Sequence, residues 1–457
     1  MYKLLRNANG NYIYDARLNQ FKRISDELYS ILQENPSGEE RCKSTEFREL
    51  QKLGFFLKTD FEIIHPYVDH LKYILDRGLN KLILQVTQNC NLRCSYCPYT
   101  ENEGSNRHHN SQMMTWETAK KALDFFASHS TDSQRVHIGF YGGEPLLNKD
   151  VIIKSMEYAR SIFEGKYLTF GITTNATLLS DDIIAFFDEN EIYVTLSLDG
   201  PQEIHDLHRK FAKENVSTFE FVKSALERIN SSYPNLQRRT SINMVMNQEM
   251  RLRDYNRIFE DLPYIKDYPI SATMIDDSYL THKYKVSDEF WAEYQYYQFV
   301  NMLRETGDIA PDSHQNVLIK EGRFNDMQIN DTMMQSPIVS YAYPAGPCIP
   351  GYTSLFVSLN ENLLPCEKVS ETQDCVRIGT LDSGLDMQRC LQLLNIAKIT
   401  EKECKSCWCI RFCSTCCYFC YNENGFSSSQ RCAQCQSAKQ YAEEAIQRYL
   451  AFNPQVG

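Results

Sequence analysis

The sequence predicts an α/β fold: a parallel sheet, open or curled into a partial barrel, followed by a cysteine-dense C-terminal region. Three observations carry this. Six β-rich runs alternate with helical patterns between residues 81 and 275. The chemically distinctive residues fall where those runs end, which is the functional face of parallel α/β sheets. Thirteen of the seventeen cysteines crowd between Cys348 and Cys435.

The six strands are KLILQVT (81–87), RVHIGFY (135–141), LTFGITT (168–174), IYVTLSL (192–198), RTSINMVM (239–246) and YPISATMI (268–275). Between them the pattern predicts a helix opening at Thr115 and another over 148–164. A third is capped by Ser180 with Asp181 and Asp182 in its first turn, and two more cover 218–230 and 253–262. Such alternation implies right-handed crossovers between parallel strands. Upstream, MYKLLRNANGNYIYDARLNQF reads as two β runs joined at Ala8-Asn9-Gly10, a hairpin signal, followed by helical DELYSILQE and STEFRELQKLGFF. Helix 288–305 carries an aromatic face through Phe290, Tyr294 and Tyr297, which reads as core packing. The expected divisions are an N-terminal module (1–78), the α/β barrel (79–310), a bridging region (311–345) and the cysteine-rich domain (346–457).

A chain of 457 residues with 42% hydrophobic content is long enough for two or three well-cored domains. Its net charge of −11 argues against a protein that coats nucleic acid. No apolar run approaches the roughly 18–20 residues that span a bilayer. The start, MYKLLRNANG, lacks the apolar core of an export signal, so a cytoplasmic protein is expected. In that compartment many cysteines point to metal or redox chemistry rather than disulfides.

Cys90, Cys94 and Cys97 form C-x-x-x-C-x-x-C directly after the first barrel strand. Three thiolates can hold a [4Fe–4S] cluster while one iron stays free of protein ligands, and an open coordination position separates a reactive metal site from a structural one. A zinc knuckle completed from elsewhere is the alternative for the triplet alone. C-N-L-R-C-S-Y-C (90–97), Y-G-G-E-P (141–145) and S-L-D-G-P-x-x-I-H-D-x-x-R (197–209) together resemble the motifs of the radical S-adenosylmethionine (SAM) superfamily, in the right order. The resemblance implies a partial (β/α)6 TIM-like barrel in which SAM fills the open iron position and yields a 5′-deoxyadenosyl radical. It also implies that Gly142 and Gly143 bring backbone close to SAM, and that Glu144 accepts from its ammonium. Ser197 and Arg209 match positions binding its carboxylate or ribose. Tyr96 is expected against the adenine and Asn175 near the ribose, while Asp199 stabilises its loop.

Past residue 345, G-P-C-I-P-G-Y opens the cysteine-rich tail, with C-x-x-C-x5-C-x3-C at Cys404, Cys407, Cys413 and Cys417 and a later Cys435. This resembles the SPASM extension, which carries two auxiliary [4Fe–4S] clusters, three clusters in all. By position, Cys404, Cys407, Cys413 and Cys435 hold one, and Cys348, Cys366 and Cys417 the other. Cys432 rivals Cys435, and Cys416 rivals Cys417. Two departures stand out: the usual glycine five residues before Cys366 is Glu361, and AYPAG supplies no cysteine before Cys348. The second leaves one auxiliary cluster with a potential open corner, where a substrate thiolate could bind. Glu367 stands where sulfatase-maturing relatives have a carboxylate base; a surface glutamate paired with Lys368 is the plain alternative.

The N-terminal order of strands then helices resembles the winged-helix peptide-recognition element of peptide maturases, which binds a leader peptide at a sheet edge. The expectation is therefore a radical SAM/SPASM enzyme that modifies a ribosomally synthesised precursor peptide, with an external one-electron reductant and no membrane or nucleic-acid partner. Thioether formation from cysteine is the first reading. Carbon–carbon crosslinking or sulfatase-maturase-like residue oxidation is the second. A non-enzymatic iron–sulfur sensor with a DNA-binding winged helix is the third.

Overall fold

The computed structural model describes residues 1–34, 40–58, 60–100, 106–310, 318–319, 329, 331–344, 348–453 and 455–456. Most of the expected bridging region, and Ala345 to Pro347 ahead of Cys348, lie outside the described residues. The chain forms two compact units. One comprises Met1–Leu71, Glu321–Cys348 and Leu391–Gly457; the other comprises Lys72–Lys320 and Ile349–Cys390.

The first unit opens with three antiparallel strands, β1 (Tyr2–Asn7), β2 (Gly10–Asp15) and β3 (Gln20–Ile24), in the order β1-β2-β3. The hairpin signal at Ala8-Asn9 joins β1 to β2. The third strand was not legible because Gln20–Ile24 has only two apolar residues, Phe21 and Ile24. Helices α1 (Asp26–Glu34), α2 (Glu40–Lys43) and α3 (Thr45–Lys52) follow, and Ser44 caps α3 through Phe47 N. Alternation along β2 decides which layer packs where. Ile13 joins Leu28, Leu32, Phe47 and Leu50 from the helices, whereas Tyr12 and Tyr14 join Ile446 and Leu450 of the C-terminal helix Cys435–Phe452. A two-residue strand, β4 (Glu62–Ile63), completes this part before α4 (Leu71–Arg77).

The second unit contains the expected alternation, with boundaries within two residues of those read from the sequence. It runs β5 (Lys81–Thr87), α5 (Trp116–His129), β6 (Arg135–Gly142), α6 (Lys149–Ile162), β7 (Tyr167–Thr174), α7 (Asp181–Glu189) and β8 (Tyr193–Ser197). Then come α8 (Gln202–His208), α9 (Phe219–Ser232), α10 (Pro234–Arg239) and β9 (Thr240–Met246). The expected helix 253–262 is two short pieces, α11 (Leu252–Asn256) and α12 (Ile258–Asp261), before β10 (Ile270–Met274) and α13 (Asp288–Thr306). On α13 Phe290 is fully buried and stacks on Tyr294, the packing role expected of that face.

Strands β5 to β10 pair in sequence and all in parallel. Leu82 to Thr87 are all buried, the run expected of a strand covered on both faces. Beyond β5 the sheet continues into residues that the sequence reading put in the cysteine-rich domain. β12 (Leu355–Val357) pairs parallel to β5, and β13 (Asn362–Leu364), β14 (Gly379–Thr380) and β15 (Gly384–Leu385) add antiparallel strands; β11 (Tyr341–Ala342) pairs instead with β4 in the first unit. The result is a mixed ten-stranded sheet that resembles a partial barrel.

Candidate functional site

Every motif in the barrel unit collects at the carboxyl ends of β5 to β8. The cysteine loop leaves β5 and turns twice, Cys97 N donating to Cys94 O (3.1 Å) and Thr100 N to Cys97 O (3.0 Å). The three thiols lie in one another's electrostatic field. Burial pushes the free thiols of Cys90 and Cys94 up to about 12, so thiolates form here only when a cation replaces the protons. Among the described residues no three His, Cys, Asp or Glu groups converge tightly enough to chelate a single metal ion, and no cysteine is in a disulfide.

Gly142 and Gly143 hold this loop in place. Gly143 N donates to Thr87 O (3.0 Å) and Glu144 N to Asn89 O (2.9 Å). A Cβ on Gly142 would sit 2.1 Å from Thr87 O, and one on Gly143 2.1 Å from Asn89 O. Glu144 is fully buried and accepts from Leu146 N (3.1 Å), Thr174 Oγ1 (2.8 Å) and Asn175 N (2.8 Å). Burial nevertheless pushes its carboxyl up to about 7, against the downward pull of those hydrogen bonds. Asn175 donates to Asn91 Oδ1 (2.9 Å), tying the end of β7 to the cysteine loop.

Arg209 is buried and paired with the fully buried Asp199, Nε to Oδ2 at 2.8 Å. Tyr96 donates its hydroxyl to the same Asp199 oxygen, and its ring lies 5.7 Å from the guanidinium carbon. Nη1 of Arg209 approaches Cys94 Sγ at 3.9 Å, and Asn175 Nδ2 approaches Cys90 Sγ at the same distance. These donors aimed at sulfur suit thiolates bound to iron. The residues present therefore fit a cluster on Cys90, Cys94 and Cys97. Ser197 is buried at the end of β8.

Glu367 and Cys366 follow β13 and act electrostatically on the half-buried Tyr141, whose phenol also feels Cys97 and Arg107. Glu367 forms no ion pair with Lys368 among the described residues. Beside them is a network that the motifs did not announce. Arg107 and Glu371 form a buried ion pair at 2.6 Å, and Gln85 and Gln88 both donate to Glu371 (2.5 and 3.1 Å). Arg107 stacks on Tyr99 at 3.6 Å. Gln85 was the available signal, a polar residue in an otherwise apolar strand.

In the first unit Cys404, Cys407, Cys413 and Cys435 are electrostatic neighbours, with Cys432 beside Cys435. Arg431, buried among Cys404, Cys413 and Cys420, leaves Nε and Nη2 without acceptors. Such an orphaned cation fits an anionic cluster at these cysteines. Cys348 is exposed, Cys366 and Cys417 half-buried.

Residues 84–262 match the profile of the Radical SAM superfamily. Two of the most similar curated relatives match part of the chain. An uncharacterized protein of Methanocaldococcus jannaschii is 38% identical over 146 residues, covering 32% of this chain and 47% of that protein. A serine-type anaerobic sulfatase-maturating enzyme of Bacteroides thetaiotaomicron is 37% identical over 122 residues, covering 26% and 29%. The chain thus spans less than half the length of these relatives. The likeness of fold extends further: the solved structure of native anSMEcpe with bound AdoMet matches with a TM-score of 0.60 at 21% identity, over 82% of this chain and 99% of that one. Among the described residues no helix is long and apolar enough to cross a membrane.

Proposed function

We propose that this chain is a radical SAM enzyme that oxidises a cysteine or serine side chain of a peptide or protein, the class of substrate named for its sulfatase-maturating relatives. The observation that supports this reading above thioether formation is that the carboxylate of Glu367 acts electrostatically on Tyr141, whose strand β6 pairs with β5 just ahead of Cys90, Cys94 and Cys97. When bound, the cluster and SAM supply a 5′-deoxyadenosyl radical that removes a hydrogen atom from the substrate. Cys90, Cys94 and Cys97 hold the cluster. Asp199, Tyr96 and Arg209 fix the loop around Cys94, and Glu144 and Asn175 fix the loop around Cys90; Gly142, Gly143 and Ser197 border the space for SAM. Glu367 takes the proton from the substrate hydroxyl or thiol. Cys404, Cys407, Cys413 and Cys435 would hold an auxiliary cluster, which would supply an acceptor for the remaining electron. An external one-electron reductant starts each turnover.

The second reading, thioether maturation of a precursor peptide, is supported by the N-terminal sheet, where β1 and β3 are edges that an extended leader could join. One experiment separates the two. Full-length protein is reconstituted anaerobically with iron, sulfide, SAM and reductant, and given peptides bearing a single Cys or Ser. Oxidation yields a carbonyl, directly from serine or from cysteine through a thiocarbonyl that water hydrolyses with release of sulfide; hydrazine reagents capture that carbonyl, whereas a thioether is read by fragmentation. Glu367→Gln is expected to release 5′-deoxyadenosine while yielding no carbonyl. Undiminished carbonyl from that variant would remove Glu367 from the reaction, and no 5′-deoxyadenosine from the wild type would overturn the enzyme reading itself.

A further inference from the structure

Arg431 is the largest of the fully buried side chains, 1% exposed, on the short helix Ser428–Ala433. Its Nη1 donates to Thr400 Oγ1 at 2.7 Å and lies 3.4 Å from Cys404 Sγ. Nε and Nη2 have no acceptor, and no carboxylate pairs with it among the described residues. Guanidinium does not deprotonate in proteins, so this is a permanent charge in a dry environment. An uncompensated buried charge is costly enough that proteins pair it, and no carboxylate does so here.

Apart from the Thr400 hydroxyl and the phenol of Tyr343, the groups that act on it are sulfur. Cys404, Cys413 and Cys420 supply the electrostatic attraction felt by the guanidinium. Neutral thiols would leave the charge uncompensated. Thiolates of an iron–sulfur cluster would neutralise it, and the cluster's sulfides would accept from Nε and Nη2.

We propose that Arg431 is a positioning residue that hydrogen-bonds an auxiliary [4Fe–4S] cluster held by Cys404, Cys407, Cys413 and Cys435 and raises its reduction potential. This rests on the reading of those cysteines as a cluster site. The physical reason is that a fixed positive charge favours the more negative, reduced state, and hydrogen bonds to sulfur act in the same direction. Arg431 combines near-complete burial with two unfilled N–H groups, and it adjoins Cys432 in sequence.

The test uses full-length protein reconstituted anaerobically, with iron and sulfide content measured first and midpoint potentials then read by an EPR-monitored redox titration. Arg431→Met is expected to shift one midpoint to more negative potential and leave the signal that depends on Cys94 unmoved. Arg431→Lys, which keeps the charge but not the planar fork, should recover part of the shift. If Arg431→Met fails to fold, Arg431→Lys carries the measurement. Midpoints equal to wild type in a variant with full iron content would overturn the role of Arg431 alone. Iron and sulfide content that Cys413→Ala leaves unchanged would overturn the cluster site and with it this proposal.

Discussion

Glu361 sits at φ 60°, in the left-handed region that side chains other than glycine seldom occupy. Asn360-Glu361-Asn362 makes a turn without glycine, closed by Glu361 N to Ser358 O at 3.0 Å. The side chain reaches Lys121, an ion pair in which Lys121 is 36% and Glu361 29% exposed. A left-handed non-glycine residue costs about 1–2 kcal/mol, and an exposed pair returns about 0.2–1 kcal/mol. Glu361→Gly should therefore leave the urea midpoint unchanged or raise it, by up to about 1 kcal/mol in stability; Glu361→Val should lower it. Gly143 is the opposite case. Its missing Cβ would meet Asn89 O at 2.1 Å and Cys90 Cβ at 3.0 Å, both part of the cysteine loop. Gly143→Ala is expected to keep the far-ultraviolet circular dichroism and lose iron binding after reconstitution. Iron content equal to wild type would mean that the loop can yield.

At the scale of elements, the loop ahead of α5 and the loop after β13 are joined by the Arg107–Glu371 pair, both side chains 6% exposed. Breaking a buried pair by removing one partner costs about 3–5 kcal/mol, because the other charge stays buried. Glu371→Ala should thus destabilise the protein by that order in thermal or urea unfolding. The double variant Arg107→Met with Glu371→Met should lose clearly less, since no charge is left behind. Equal losses would show that the hydrogen bonds from Gln85 and Gln88, not the charge pair, hold these loops. The motifs around Cys90 were legible because spacing alone encodes them. This pair was not, since its members are 264 residues apart and neither lies in a motif.

Across the whole molecule, buried neutral histidines set an acid limit. His137 in β6 has its pKa lowered by burial, and secondarily by Lys81, from 6.5 to about 4; its Nδ1 pairs with Thr169 Oγ1 at 2.9 Å. His65, in the other unit, is lowered to about 4 by burial alone. Each depressed value means that the folded state keeps a neutral ring while the unfolded chain binds a proton. The associated stability is complete above pH 6.5 and is lost as pH falls from 6.5 towards 4, with no further loss below. For His137 this amounts to about 3 kcal/mol at most. His137→Gln should flatten the stability profile in that window while changing it little at pH 8. A profile as steep as wild type would assign the acid limit to other groups.

The sequence by itself determined the alternation of strands and helices in the barrel unit and the residues gathered at the strand ends. Both depend on local rules: hydrophobic period, caps, and a ligand spacing of three and four residues. It also fixed the C-x-x-x-C-x-x-C spacing of Cys90, Cys94 and Cys97. Tertiary structure decided what touches those residues. It turned Gly142 and Gly143 towards the cysteine loop, joined Arg209 to Asp199, drew Leu355–Leu385 into the barrel's sheet, and buried Arg431 among sulfurs. None of these follows from local pattern, because burial of a charge and pairing of distant strands are settled by what the folded chain brings together. Their energies come from desolvation and close packing, which no short window of sequence contains.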